Sequence, residues 1–240
     1  MTLDFAYMLY LLLNADSSVD KSRIKHYVTK WYVMSVLTNR YIGSPETVMD
    51  FDLRRIKERG FVEFFSEIEK GNLHDQFWEV TLVQRLETSV VNSPFFNTFL
   101  AAQIYFGDNA LFSNGTKIGY LLNLIGDVHH IFPKQYLRKK GLDDKATYNQ
   151  IANFTYLDTQ VNKEISDEAP NVYFKAAFEN CKDGIALFGN ISDIQVLKHN
   201  LEENCIPENI LDMDAAQYDY FLVERRKLMA KKIKDYYYSL

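Results

Sequence analysis

Twice in its first hundred residues the chain places a serine before a proline and then runs into apolar residues at helical spacing, at Ser44-Pro45 and again at Ser93-Pro94. A serine can cap the orphan N–H groups of a first turn, and a proline at the first helical position lacks the N–H that would go unpaired there. The first pair opens a helix from Pro45 to about Arg59, ended by Gly60; the second opens Phe95 to Phe106. Residues 3 to 14 read as a buried helix. Asp20 or Ser22 caps a second helix running to about Tyr41, with Ile24, Tyr27, Val28, Trp31, Val36 and Leu37 mainly on one face. Phe61 to Glu69 is a short amphipathic helix closed by Gly71-Asn72, and Asp75 to Thr88 turns Phe77, Trp78, Leu82 and Leu86 inward. The spacing therefore predicts helix almost throughout this region.

From Gly107 the texture changes. Gly107-Asp108-Asn109 and Ser113-Asn114-Gly115 are turn signals, and a short apolar run, Ile118 to Ile125, follows them. His129 to Phe132 reads as a short strand stopped by Pro133, and Gln135 to Lys140 as a helical turn closed by Gly141. Phe154-Thr155-Tyr156-Leu157 is aromatic or β-branched in alternation, a second strand. Gln160 to Glu164 opens a helical turn and Pro170 a helix through Cys181. In the last segment Tyr218, Phe221, Leu222, Met229, Ile233 and Tyr236 form an apolar stripe, with Arg225, Arg226, Lys231 and Lys232 expected mostly off it.

The chain's 240 residues, 47% hydrophobic, suffice for a sizeable core rich in rings, with 16 Tyr and 17 Phe. A formal net charge of −5 argues against a protein that binds nucleic acid over its whole surface. It leaves room for a local basic patch. Cys181 and Cys205 have no CxxC spacing, so neither a disulfide framework nor a thiolate zinc site is indicated, and a reducing cytoplasm is the expected compartment. The run Phe5 to Leu13 is too short to span a bilayer and no targeting signal precedes it, so no membrane association is expected.

The chemistry concentrates in Gly126-Asp127-Val128-His129-His130-Ile131-Phe132-Pro133-Lys134, with Asn153 and Asn162 downstream. Adjacent residues of a strand send their side chains to opposite faces, so one imidazole can bind a metal while its neighbour acts as a base. That division suits metal-assisted phosphodiester hydrolysis, which needs a Lewis acid and a base for the attacking water. An imidazole titrates near ~6.5 and can serve as that base around neutral pH.

These residues resemble the ββα-metal, or HNH, nuclease finger, specifically the C-terminal half of GmrSD-type restriction endonucleases. The likeness is dense over roughly residues 126 to 174, from His-His-Ile-Phe-Pro-Lys-Gln-Tyr-Leu through Tyr148-Asn149-Gln150-Ile151-Ala152-Asn153 to Val161-Asn162-Lys163-Glu164-Ile165-Ser166-Asp167 and Pro170. It extends to flanking helical text such as Trp31 to Tyr41 and Ser44-Pro45-Glu46-Thr47. The resemblance implies that His129 is a metal ligand, His130 the general base, Asn153 the residue that holds the loop and orients His130, and Asn162 the second protein ligand. Asp127, two residues before His129, is a further candidate for the metal shell; capping a turn is its plainer reading. One imidazole and one amide oxygen favour Mg²⁺ or Mn²⁺ over Zn²⁺ or Ni²⁺ as the single divalent ion. Family members often carry Asp at the position of His129, which leaves the metal preference open.

Lys134, Arg138, Lys139 and Lys140, four cations within seven residues, together with Lys163, are candidate phosphate contacts, although a solvated charge run is the ordinary explanation of such a cluster. His26, His74 and His199 read as surface or boundary residues, the two cysteines and Trp31 and Trp78 as packing, and Tyr236-Tyr237-Tyr238 as the packed face of a terminal helix. The expected fold is α+β and predominantly α-helical, a finger at 118–182 lying between a helical region at 1–117 and a C-terminal helical region at 183–240. The expected activity is metal-dependent hydrolysis of DNA in restriction or anti-phage defence. A catalytically silent interaction module and a purely structural metal site are the alternatives. The partners implied are DNA, a nucleotide-hydrolysing or sensing N-terminal half or partner chain, and a second copy, since such a finger nicks one strand at a time. No Walker-type loop occurs in this sequence.

Overall fold

The structure, a computed structural model, describes residues 1–123 and 128–240, with the backbone alone at Asn123. It is α+β and predominantly helical, 69% of the described residues being helix beside a two-stranded sheet. Two compact units divide it, residues 1–82 with 233–240, and residues 83–232.

In the first unit, α1 (Thr2–Ala15) is followed by a 3-10 turn at Lys21–Arg23, where the Asp20 carboxylate accepts from the Ser22 N–H, and by α2 (Ile24–Thr38). Helix α2 stops at Asn39, which takes the left-handed conformation, three residues short of the expected end. The proline start at Pro45 opens α3 (Pro45–Arg59), and α4 (Phe61–Asn72) runs on through Gly71. The helix expected from Asp75 to Thr88 runs unbroken from Asp75 to Arg85, with a π-helical turn at Phe77–Thr81 before α5 (Leu82–Arg85), and ends three residues early. Trp31, fully buried, is ringed by Phe5, Phe61, Phe64 and Phe65 and donates its indole N–H to the Tyr41 hydroxyl at 3.0 Å. That hydroxyl donates to the buried Asp52, which also pairs with Arg40. The polar ends of the aromatic cluster are thereby satisfied.

In the second unit, α6 (Pro94–Phe106) begins at the other proline and ends at Gly107. A loop follows, then α7 (Ile118–Asn123), so the described part of the Ile118–Ile125 apolar run is helical. Strand β1 (Val128–His130) pairs antiparallel with β2 (Phe154–Tyr156), His129 opposite Thr155 and His130 opposite Phe154. Between them lie α8 (Lys134–Lys139), closed by Gly141 at φ +86°, α9 (Lys145–Tyr148) and a 3-10 turn at Ile151–Asn153. After β2 come α10 (Thr159–Ile165), capped by Asp158, α11 (Pro170–Lys182), α12 (Ile194–Glu203) and α13 (Tyr218–Ser239). The stretch expected to form the finger is therefore a two-strand ribbon with a helix after each strand, and its described residues lie within this unit. Its core joins Phe132 to Tyr218 and Phe221 of α13, and Phe112 to Tyr173 and Phe174 of α11.

One expectation for α13 needs correction. Arg225 and Arg226, assigned to the outer side of its stripe, are buried. Arg225 donates to the carbonyls of Ala152 at 2.9 Å, Phe154 at 2.6 Å and Asn204 at 3.1 Å. Its charge is thus spent on peptide dipoles, which burial permits where a carboxylate is absent from its hydrogen bonds. The apolar stripe of α13 is buried as expected, and so are Tyr236 and Tyr237, whereas Tyr238, read with them as packed, is exposed.

Candidate active site

The site is built around Asn153, which is fully buried. Its Oδ1 accepts from the Phe132 N–H at 2.8 Å, and its Nδ2 donates to the carbonyls of Phe132 at 3.1 Å and Tyr148 at 3.0 Å. The Ile131 N–H donates to the Asn153 carbonyl at 2.8 Å, and the Tyr173 hydroxyl donates to the Ile131 carbonyl at 2.7 Å. Between the end of β1 at His130 and Pro133 the chain has no strand partner for these groups, and the buried amide and backbone of Asn153 supply one. Asn153 therefore holds the loop, as the resemblance implies. The second part of its implied role is different in the structure. Both amide hydrogens of Asn153 go to carbonyls, and the hydrogen bond of His130 is made with Asn149, Nε2 to Oδ1 at 2.9 Å.

His129 and His130 meet different surroundings, as strand alternation requires. His129 is 5% exposed, and its Nε2 is buried with no hydrogen-bond partner among the described residues. Burial pushes its pKa down to about 4, helped by His130 and opposed by a side-chain hydrogen bond with Asn162. It is neutral at pH 7, the state in which imidazole ligates. His130 is half-buried, its ring edge-on to Phe154 at 5.1 Å and 86° and beside Tyr148 at 6.3 Å. Burial also lowers its pKa; the Asn149 contact acts against this and the nearby Lys134 charge with it. Each ring therefore keeps a lone pair near neutral pH.

A cleft of about 640 Å³ gathers these residues: His129, His130, Asn162, Lys134, Lys163 and Asp167 all border it. The structure thus brings both histidines and the downstream Asn162 to one place, from β1 and α10. Asp127 lies outside the described residues. Among the described residues no group of three or more His, Cys, Asp and Glu side chains comes together. The donor set fits a divalent ion in one respect: His129, whose buried Nε2 has no hydrogen-bond partner among the described residues, and Asn162 both border the cleft, leaving further positions to water or substrate oxygen.

The basic residues separate. Lys134 and Lys163 border the cleft, with the Lys134 ammonium 5.2 Å from the Tyr148 ring centre. Arg138, Lys139 and Lys140 are exposed and lie off its lining. Lys139 is ion-paired with Asp167, and Lys140 borders a separate pocket beside Tyr136. Sequence reasoning missed Asn149 as a partner of His130. No spacing in the sequence singles it out, since it ends α9 whereas Asn153 ends the separate 3-10 turn that follows.

Cys181 and Cys205 are both buried free thiols, as packing residues should be. Among the described residues no helix is long and apolar enough to cross a membrane. No family model matches the chain. No solved structure matches it either. The chain is similar to an uncharacterized protein of Methanocaldococcus jannaschii, 27% identical over 226 residues, which cover 87% of this chain and 37% of that protein. The chain spans little more than a third of the length of that relative.

Proposed function

We propose that this chain is a metal-dependent HNH-type endonuclease that hydrolyses DNA phosphodiester bonds. The observation that supports the reading best is the cleft bordered together by His129, whose buried Nε2 lacks a partner among the described residues, by Asn162 and by the anchored His130. In this reading His129 and Asn162 hold one divalent ion. When bound, such an ion supplies Lewis-acid stabilisation of charge on the phosphate and the departing 3′ oxygen. His130 takes the proton of the attacking water through its free ring nitrogen. Lys134 and Lys163 contact the phosphodiester backbone on either side of the reacting group, and Asn153 keeps β1 and its following loop in place. The reading carries with it a role in restriction of invading DNA. Nucleotide sensing would then belong to a further domain or a partner chain, and double-strand cutting to two copies.

Incubation with supercoiled plasmid in Mg²⁺, Mn²⁺, Ni²⁺ or Zn²⁺ tests it. Nicked circles are expected with at least one ion, and His130→Ala lowers the rate by about 10²–10⁴-fold. Nicking that survives the substitution removes His130 from the mechanism. Metal-dependent DNA binding without cleavage points instead to a silent interaction module, and a metal-dependent rise in Tm alone to a structural site.

A further inference from the structure

His130 is useful as a base only if its proton sits on one nitrogen and its lone pair on the other, in the right order. A free imidazole exchanges between two tautomers, and a partner on one nitrogen selects between them. In this chain the partner is the Asn149 side chain, whose Oδ1 lies 2.9 Å from Nε2. An amide oxygen accepts and cannot donate, so Nε2 must carry the hydrogen and Nδ1 the lone pair. We infer that Asn149 is the positioning residue of the site: it fixes His130 as the Nε2–H tautomer and offers Nδ1 to the cleft. The inference rests on the nuclease reading for its consequence in catalysis and on geometry for the tautomer.

The position of Asn149 is itself secured. It follows α9 directly, and its N–H donates to the Lys145 carbonyl at 3.0 Å. The two residues before it are held as well, the Tyr148 carbonyl by Asn153 at 3.0 Å and the Thr147 carbonyl by the Tyr218 hydroxyl at 2.9 Å. The His130 ring cannot easily rotate away, because Phe154 stands edge-on across the strand pair and Tyr148 closes a second side. Asn153 thus sets the loop, the loop sets Asn149, and Asn149 sets the ring. A neutral amide does this without adding a charge beside the metal ligands, as a carboxylate in the same place would.

Two variants and two readouts separate this from a merely structural role. Asn149→Leu keeps the approximate volume and removes the acceptor, whereas Asn149→Asp keeps an acceptor oxygen. Histidine ring ¹⁵N spectra of the metal-free protein read the tautomer without reference to activity. The wild type should show a pyrrole-like Nε2 and a pyridine-like Nδ1 at His130, retained in Asn149→Asp and averaged in Asn149→Leu. In plasmid nicking, Asn149→Leu should lower kcat by about 10–100-fold with KM for DNA unchanged, and Asn149→Asp should recover most of it.

A wild-type Nδ1–H tautomer would overturn the assignment, because the amide nitrogen would then face the ring and occupy its lone pair. So would an Asn149→Leu spectrum or kcat equal to wild type. The wild-type spectrum decides even where a variant fails to fold. Should no form nick DNA, the nuclease reading fails and with it the catalytic consequence, while the spectra still decide the tautomer.

Discussion

His129 carries a burden that an inert core residue would not. Its Nε2 is buried and unbonded among the described residues, and burial has already driven its pKa to about 4. Leaving a polar atom in that state costs about 1–3 kcal/mol, and an apolar side chain of similar size avoids it. Natural proteins keep such costs where function needs them. His129→Leu should therefore raise the Tm of the metal-free protein by about 2–4 °C, for a gain of about 1 kcal/mol. The same substitution should abolish any rise in Tm on adding the activating ion. Thermal melts with and without metal measure both effects. A Tm below wild type without metal would mean that the contact with Asn162 outweighs the orphan nitrogen and that the imidazole is there for packing.

Within the finger, the strands and turns depend on groups far along the chain. Arg225 of α13 donates to three buried carbonyls, two of them flanking Asn153. Arg225→Met fills much of the same space but strands those carbonyls, at a net cost of about 3 kcal/mol. Urea unfolding should show a lower midpoint with an unchanged slope. A midpoint equal to wild type would show that the expense of burying the guanidinium cancels its hydrogen bonds. This arginine also marks the limit of what the sequence discloses. The helix starts at Pro45, Pro94 and Pro170 are legible because proline geometry acts within one turn, although neither Ser44 nor Ser93 makes the side-chain cap its position suggests. The two strands are legible from their β-branched and aromatic residues, although the first stops at His130, two residues before its expected end at Phe132. The inward turn of Arg225 is not, since stripe logic sends a charge outward unless something distant receives it. Nor is the exchange of roles between Asn149 and Asn153 legible, for both are asparagines of one short stretch. Which of them meets the imidazole depends on the 3-10 turn at Ile151–Asn153 and on the register that sets His130 opposite Phe154. The site residues that strand pattern could place, His129 and His130, do share a cleft with Asn162, which their sequence order alone could only suggest.

At the scale of the molecule, a formal charge of −5 means that the DNA of the proposed reading would have to be met by local charge against an unfavourable background. The cleft supplies Lys134 and Lys163, and Arg138 and Lys140 are exposed on or just after the same helix, α8. Lys139 is already engaged by Asp167, so it adds little until that surface pair breaks. Four phosphate contacts give a slope of log K against log salt of about −3 to −4 on duplex DNA. Titration of a labelled duplex with the His130→Ala protein, over roughly 50 to 200 mM salt, measures it. Lys163→Gln should make that slope shallower by about 1, and Lys139→Gln should leave it nearly unchanged. A Lys139 substitution as costly as that of Lys163 would mean that DNA takes this lysine away from Asp167. A slope near zero would remove the backbone from the interface altogether, and with it the reading of the two cleft lysines as phosphate contacts.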